Sequence, residues 1–331
     1  MRRLGLDITK DSRIDEADIR ALSKAQAIEI FVEHYFRRPG IGNLPEPLQP
    51  SVFDMYVNAG AQAVKILQRL CTQMGMACSE DGVIGPQTIR AAQKAFEEFL
   101  KTHERSPVRQ QVLYMNALCS FFQGKYKETK VDFDKYEQEY PKGQFIPDVR
   151  YRQAIVKFGT SPRDIPGTIK ICEDWLKDYS KDNTDEVMSQ VPEVYTLIGD
   201  ANIALADEID KKVKAADLDV RLNAKTPDKD KFVEIKTKLE KEKEAVTNKA
   251  IDAYEAAAKN ARTNPQALEF VLGELRKLLP GRGEHKRMRD LFREIFDWNH
   301  NDPKAMTYLY EVIRSTERMG DMPEFAAESE K

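Results

Sequence analysis

Oxygen-bearing side chains recur at a regular spacing near the start of the chain. Across Asp7-Ile8-Thr9-Lys10-Asp11-Ser12-Arg13-Ile14-Asp15-Glu16-Ala17-Asp18, Asp7, Thr9, Asp11, Asp15 and Asp18 fall at loop positions 1, 3, 5, 9 and 12. Arg13 stands where a backbone carbonyl would serve, followed by the apolar anchor Ile14. Oxygens so spaced converge on one point when a loop winds about it, which is calcium chemistry. Ser12 replaces the usual glycine of the sharp turn and Asp18 the usual bidentate Glu, so the alternative is a loop that caps the following helix. A second constellation is Asp54 with Asn58, one helical turn apart and therefore on one face, with Tyr56 between them. These three are candidate glycan-binding residues. The alternative is that Asp54 caps or bridges within the fold while Asn58 bonds a neighbouring loop. Glycan cleavage asks for more, a proton-donating carboxyl and commonly a second carboxylate at a set separation. Glu16, Glu29, Glu33 and Asp54 are the carboxylates available in this first part of the chain.

Other chemistries are excluded by composition. Cys71, Cys78, Cys119 and Cys172 form no CxxC pair and the four histidines are dispersed, which points away from zinc and toward buried or idle thiols. Basic and acidic residues, 52 and 55, are interleaved to a net charge of -3, so no field favours nucleic acid. No apolar run is long enough to span a bilayer. Met1-Arg2-Arg3-Leu4-Gly5-Leu6-Asp7 turns acidic before an apolar signal core develops. Read from Met1, the expected location is the cytoplasm; a native start further upstream would shift it to the cell envelope.

The elements that position these residues read as helices. Ser23-Lys24-Ala25-Gln26 is a capping box opening a helix with Ala27, Ile28, Phe31 and Tyr35 on one side, which stops at Arg38-Pro39-Gly40. Val52 to Leu70 is expected as one helix with Gly60 as a bend or a close contact. In Asp81-Gly82-Val83-Ile84-Gly85-Pro86-Gln87-Thr88, both glycines are expected to take angles closed to other residues. Pro86 opens the next helix and Thr88 bonds a local amide.

The string Phe53-Asp54…Asn58-x-Gly60…Leu67-Gln68, followed by that glycine turn, resembles the phage-type N-acetylmuramidases of glycoside hydrolase family 108 and their fused peptidoglycan-binding half, over about residues 4–99. The resemblance implies a small helical domain with murein as ligand. It also implies a catalytic acid in a Glu-Gly-Gly-Tyr motif, which does not occur in these 331 residues.

After Ser106-Pro107 the pattern becomes a helical repeat of about 34 residues, similar to tetratricopeptide units over about 112–310. Leu113 and Ala117 line a first helix, Gly124 makes the turn, Tyr126 wedges between the helices, Phe133 and Tyr136 line the second and Tyr140-Pro141 ends it. A second unit buries Ile169, Ile171, Cys172, Trp175, Leu176 and Tyr179. A third opens at Pro192 with Tyr195 and the small Gly199, and pairs with a helix around Tyr254. Between its helices lies a charged insertion, about 207–249, broken at Lys225-Thr226-Pro227-Asp228 and expected as a protruding helical hairpin, either a solvated face or a partner contact. Gln266 to Leu279 and Glu284 to Trp298 form a fourth pair, and Lys304 to Arg318 a terminal helix. Arg282, His285, Lys286, Arg287 and Arg289 cluster beside Glu284, Asp290 and Glu294, which offset their charge.

The expectation is an all-α protein: a muramidase-derived domain over 1–105 and a tetratricopeptide-like superhelix over 106–331. Its partners are a protein or peptide in the repeat groove and peptidoglycan; its function is binding, with no catalytic residue and no cofactor unless calcium fills the acidic loop. The alternatives are an N-acetylmuramidase whose catalytic segment precedes Met1, and an intracellular tetratricopeptide adaptor.

Overall fold

The computed structural model describes Ile8 and residues 16–45, 48–182, 184–300 and 304–320. Every regular element among them is helical, with 14 α-helices and no strand. None of these helices is long and apolar enough to cross a membrane. The chain divides into two compact units, residues 1–143 and 144–331.

The first unit contains α1 (Glu16–Ala21), α2 (Lys24–Phe31), α3 (Gln49–Ala59), α4 (Ala61–Gln73), α5 (Pro86–Thr102), α6 (Arg109–Phe122) and α7 (Tyr126–Glu139). The capping box opens α2: Ser23 Oγ accepts the Gln26 N–H at 3.2 Å and the Gln26 side chain accepts the Ser23 N–H at 3.0 Å. The helix then widens into a π-turn over Val32–Arg37, closed by Arg38 N–H to Glu33 O at 3.0 Å. The single helix expected over Val52 to Leu70 is two. Gly60, at φ 57° and ψ -138°, ends α3 and starts α4. A Cβ there would meet nothing within 4 Å, so this glycine serves the bend and not a close contact. Ile41, Val52, Val64, Leu67, Cys71 and Ile84 form the core that joins these helices. The hairpin α6–α7, which the repeat pattern groups with the later helices, lies in this unit. Gly124 turns it at φ 69°, Tyr126 lies half-buried against Phe121, and Tyr140 caps α7 just before Pro141.

The second unit contains α8 (Ile146–Gly159), α9 (Ile165–Tyr179), α10 (Asp185–Leu222), α11 (Lys229–Asn260), α12 (Pro265–Leu278), α13 (His285–Asn299) and α14 (Ala305–Met319). Trp175 is fully buried among Ala154, Cys172, Val187, Val191 and Val194, and its indole N–H donates to Pro147 O at 2.7 Å. That stripe of valines carries α10 upstream of its expected start at Pro192. The proline removes one donor from the ladder without ending the helix, because the burial of Val187 and Val191 outweighs the loss. The charged insertion is the expected hairpin, continuing α10 and α11 past the core. Asp210 bridges Lys214 and Lys243, and Asp217 bridges Arg221 and Lys236, across or along it.

Candidate functional site

One buried amide organises the glycine turn. Gln68 of α4 is 1% exposed. Its Nε2 lies 2.7 Å from Asp81 Oδ1, 3.0 Å from Val83 O and 3.1 Å from Thr88 Oγ1, while the Gly82 N–H donates to its Oε1 at 2.9 Å. Asp81 Oδ1 also accepts the Val83 N–H at 2.8 Å. That bond, then the one from Gln68, holds the Asp81 carboxyl below the usual range. Gly82 takes φ 77° with its Cα facing Ala61, so a side chain there would be both strained and crowded. Two expectations need correction. Gly85 is extended at φ -109° and ψ 179°, a conformation open to any residue. Thr88 donates to the Val83 carbonyl at 3.2 Å and accepts from the distant Gln68 side-chain amide, and it is Asp81 that takes the local Val83 N–H. Sequence reading noted Gln68 only as part of a string. A lone glutamine carries no local pattern that marks it as the centre of a network 13 to 20 residues downstream.

The clasp sets the start of α5 against a groove of 390 Å³, lined by Asn43, Ile84, Pro86, Ile89, Phe122 and Gln123 among others. Among the described residues no carboxylate lines it. Phe122 is 51% exposed, and Gln123, on the same wall, donates its Nε2 to Gln93 Oε1 at 2.8 Å. Burial pushes the Cys119 thiol on the groove's inner wall up to about 12, so it stays protonated and is no nucleophile. Side-chain amides beside an open aromatic face suit neutral, hydroxyl- and acetamide-bearing ligands.

The residues proposed from sequence lie elsewhere. Asp54 and Asn58 are exposed together on α3, and Asn58 Nδ2 donates to the Asp54 backbone carbonyl at 2.9 Å, the local bond typical of such residues on a helix. Tyr56 lies about 200° further round the helix from Asp54 and packs on the core, so the three do not share a face. Glu16 pairs with Arg20 at 2.7 Å, Glu29 with Arg37 at 2.8 Å and Glu33 with Arg38 at 3.4 Å, all near the surface. Of the acidic loop, Asp7, Thr9, Asp11, Arg13 and Asp15 lie outside the described residues. Asp18 is fully buried and accepts the Ile8 N–H at 2.8 Å. Among the described residues no group of His, Cys, Asp and Glu is placed to hold a metal. Burial also raises Cys71 to about 11 and Cys172 to about 12.

In the second unit Gly199 faces the ring of Tyr254, and any Cβ on Gly199 would fall well inside van der Waals contact of that ring. Tyr254 then donates to Asp200 at 2.7 Å, and Tyr195 packs at the edge of the neighbouring cores. Two arginines of the basic cluster are paired with acids: Arg287 with Asp252, with Glu255 at 2.5 Å and with Glu284 at 3.3 Å, and Arg282 with Glu284 at 2.8 Å, while the buried His285 Nδ1 has no hydrogen-bond partner among the described residues.

Comparison with known families divides the first unit at the Gly60 bend, across which one core is continuous. No curated protein matches the chain. Residues 4–60, which include Asn43 of the groove, match the family model Glycosyl hydrolase 108, and residues 62–130, which hold the clasp, α5, α6 and the groove residues Ile84 to Gln123, match the one described as Predicted Peptidoglycan domain.

Proposed function

We propose that this protein is a non-catalytic, murein-associated scaffold. Its first 130 residues hold peptidoglycan, and its successive helix pairs act as tetratricopeptide-like repeats that receive a protein or peptide. The observation that carries the first half is the groove beside the Gln68 clasp: Gln123 and the open face of Phe122 lie in the stretch that matches a peptidoglycan-domain family, and Asn43 faces them from the stretch that matches a glycosyl hydrolase family. Groups of this kind bind sugar and acetamide without breaking a bond. The second half is supported by the helix pairs α6–α7, α8–α9 and α10–α11, each joined through a turn, the third prolonged by the charged hairpin; α13 packs along α14 and not along α12 as the fourth expected pair would have it. Stacked pairs of this type offer extended surfaces to ligands. The test is retention of the intact chain on purified murein.

A second reading, an N-acetylmuramidase, is favoured by the match of residues 4–60 to a glycosyl hydrolase family. The described carboxylates Glu16, Glu29 and Glu33 are engaged by arginines at the surface, and Asp54 is exposed on α3. Turbidity of a murein suspension separates the readings: it stays constant for a scaffold and falls for a muramidase.

A further inference from the structure

Within the second unit, α8, α10 and α12 surround a cavity of 270 Å³. Two carboxylates of α10 line it, Glu193 and Asp200, two helical turns and hence about 10 Å apart along the axis. Each is half-buried and held by a neutral hydroxyl, Tyr151 beside Glu193 and Tyr254 on Asp200 at 2.7 Å. Desolvation raises both carboxyls above their ordinary range. The charges around them do not outweigh that desolvation. Arg152, which pairs with Asp148 at 2.5 Å, attracts Glu193 more than Asp148 repels it, but desolvation outweighs both. The charge facing Asp200 is a further carboxylate, Glu274, which pairs with Lys277 at 2.6 Å. Partly buried carboxylates without a full counter-charge are costly unless a cation reaches them. The remaining wall is apolar and amide-bearing: Leu197, Gln266 and Phe270, the last 48% exposed.

We propose that this cavity binds an extended segment of a partner protein through two basic side chains three residues apart. A polyproline-II segment has three residues per turn and rises about 3.1 Å per residue, so positions i and i+3 share a face about 9 Å apart. That spacing matches the two carboxylates. The aliphatic stem of a lysine or arginine crosses Leu197, and its cationic head gains from the open face of Phe270. This inference rests on the reading of the helix pairs as a peptide-binding array.

The experiment is fluorescence anisotropy of labelled peptides with the intact protein. The probe Pro-Lys-Pro-Pro-Lys-Pro is compared with Pro-Lys-Pro-Lys-Pro-Pro and Pro-Glu-Pro-Pro-Glu-Pro. Saturable binding of the first alone is expected, weakened by added salt. Glu193→Gln and Asp200→Asn should each weaken it about tenfold or more, as loss of a charged hydrogen-bond partner does. Melting curves show that the variants remain folded. Binding indifferent to lysine spacing, or unchanged in both variants, overturns the proposal. An unbiased peptide array separates the two readings. Retention only of peptides without paired basic residues keeps the repeat reading and overturns the acidic cavity, whereas retention of no peptide overturns both.

Discussion

Gln68 and Asp200 show how single side chains set the behaviour of the two units. Gln68 is a buried amide satisfied by an aspartate, a threonine, a carbonyl and an N–H. Gln68→Ala leaves those groups unpaired in a dry interior, so urea denaturation should show a loss of about 2–3 kcal/mol. A loss below about 0.5 kcal/mol would remove Gln68 from its place at the centre of the turn. Asp200 acts in the opposite sense. Burial raises its carboxyl, so the folded protein holds that proton more tightly than the unfolded chain does. Its contribution is whole below the ordinary carboxylate value, about 4, and is lost as pH climbs through the raised value. Asp200→Asn still accepts the Tyr254 hydroxyl but carries no charge. Its melting temperature should therefore exceed the parent's at pH 7, and the gap should close as the pH falls below about 4. An Asn variant less stable than the parent at pH 7 would contradict this. The Gln68 network could not be read from the sequence, since its partners are brought to it by the turn and not by any spacing along one helix.

At the scale of elements, helix contacts are governed by small residues in some places and by charge in others. Gly199 lies under the Tyr254 ring, and Gly273 of α12 has open space where a Cβ would go. Gly199→Ala should cost about 1–3 kcal/mol by overpacking, while Gly273→Ala should gain about 0.5–1 kcal/mol from helix propensity. Thermal or chemical denaturation of the pair checks this, and equal effects would refute it. The charged hairpin was legible because its Lys, Glu and Asp run without a breaker except at Lys225-Thr226-Pro227-Asp228. Ion pairs tie its two arms at Asp210 and Asp217, and Lys214 and Lys243 hold Asp210 down to about 2. What the sequence concealed were the breaks. Gly60 reads equally as a contact or a bend, and only its backbone angle decides. Pro192 reads as a start, yet buried valines on both sides of it keep the helix continuous.

For the whole molecule, helical periodicity and turn residues fixed the all-α class and most helix ends. The candidate groove was not legible, because Asn43, Ile84 and Phe122 come from three separated segments and none carries a motif. Asp54, Asn58 and Tyr56 stood out by proximity in sequence, but Tyr56 turns into the core while the other two face out. The division after Gly143 was hidden for a similar reason, since the repeat pattern runs through α6–α7 without a change in composition. Peptidoglycan binding through the groove is the claim on which the rest stands, and equilibrium co-sedimentation with purified murein tests it most directly. The intact protein should be retained saturably, and Phe122→Ala, with an unaltered melting curve, should weaken retention about tenfold, as loss of a central aromatic contact does. Retention that fails to saturate, or that Phe122→Ala leaves unchanged, would contradict it.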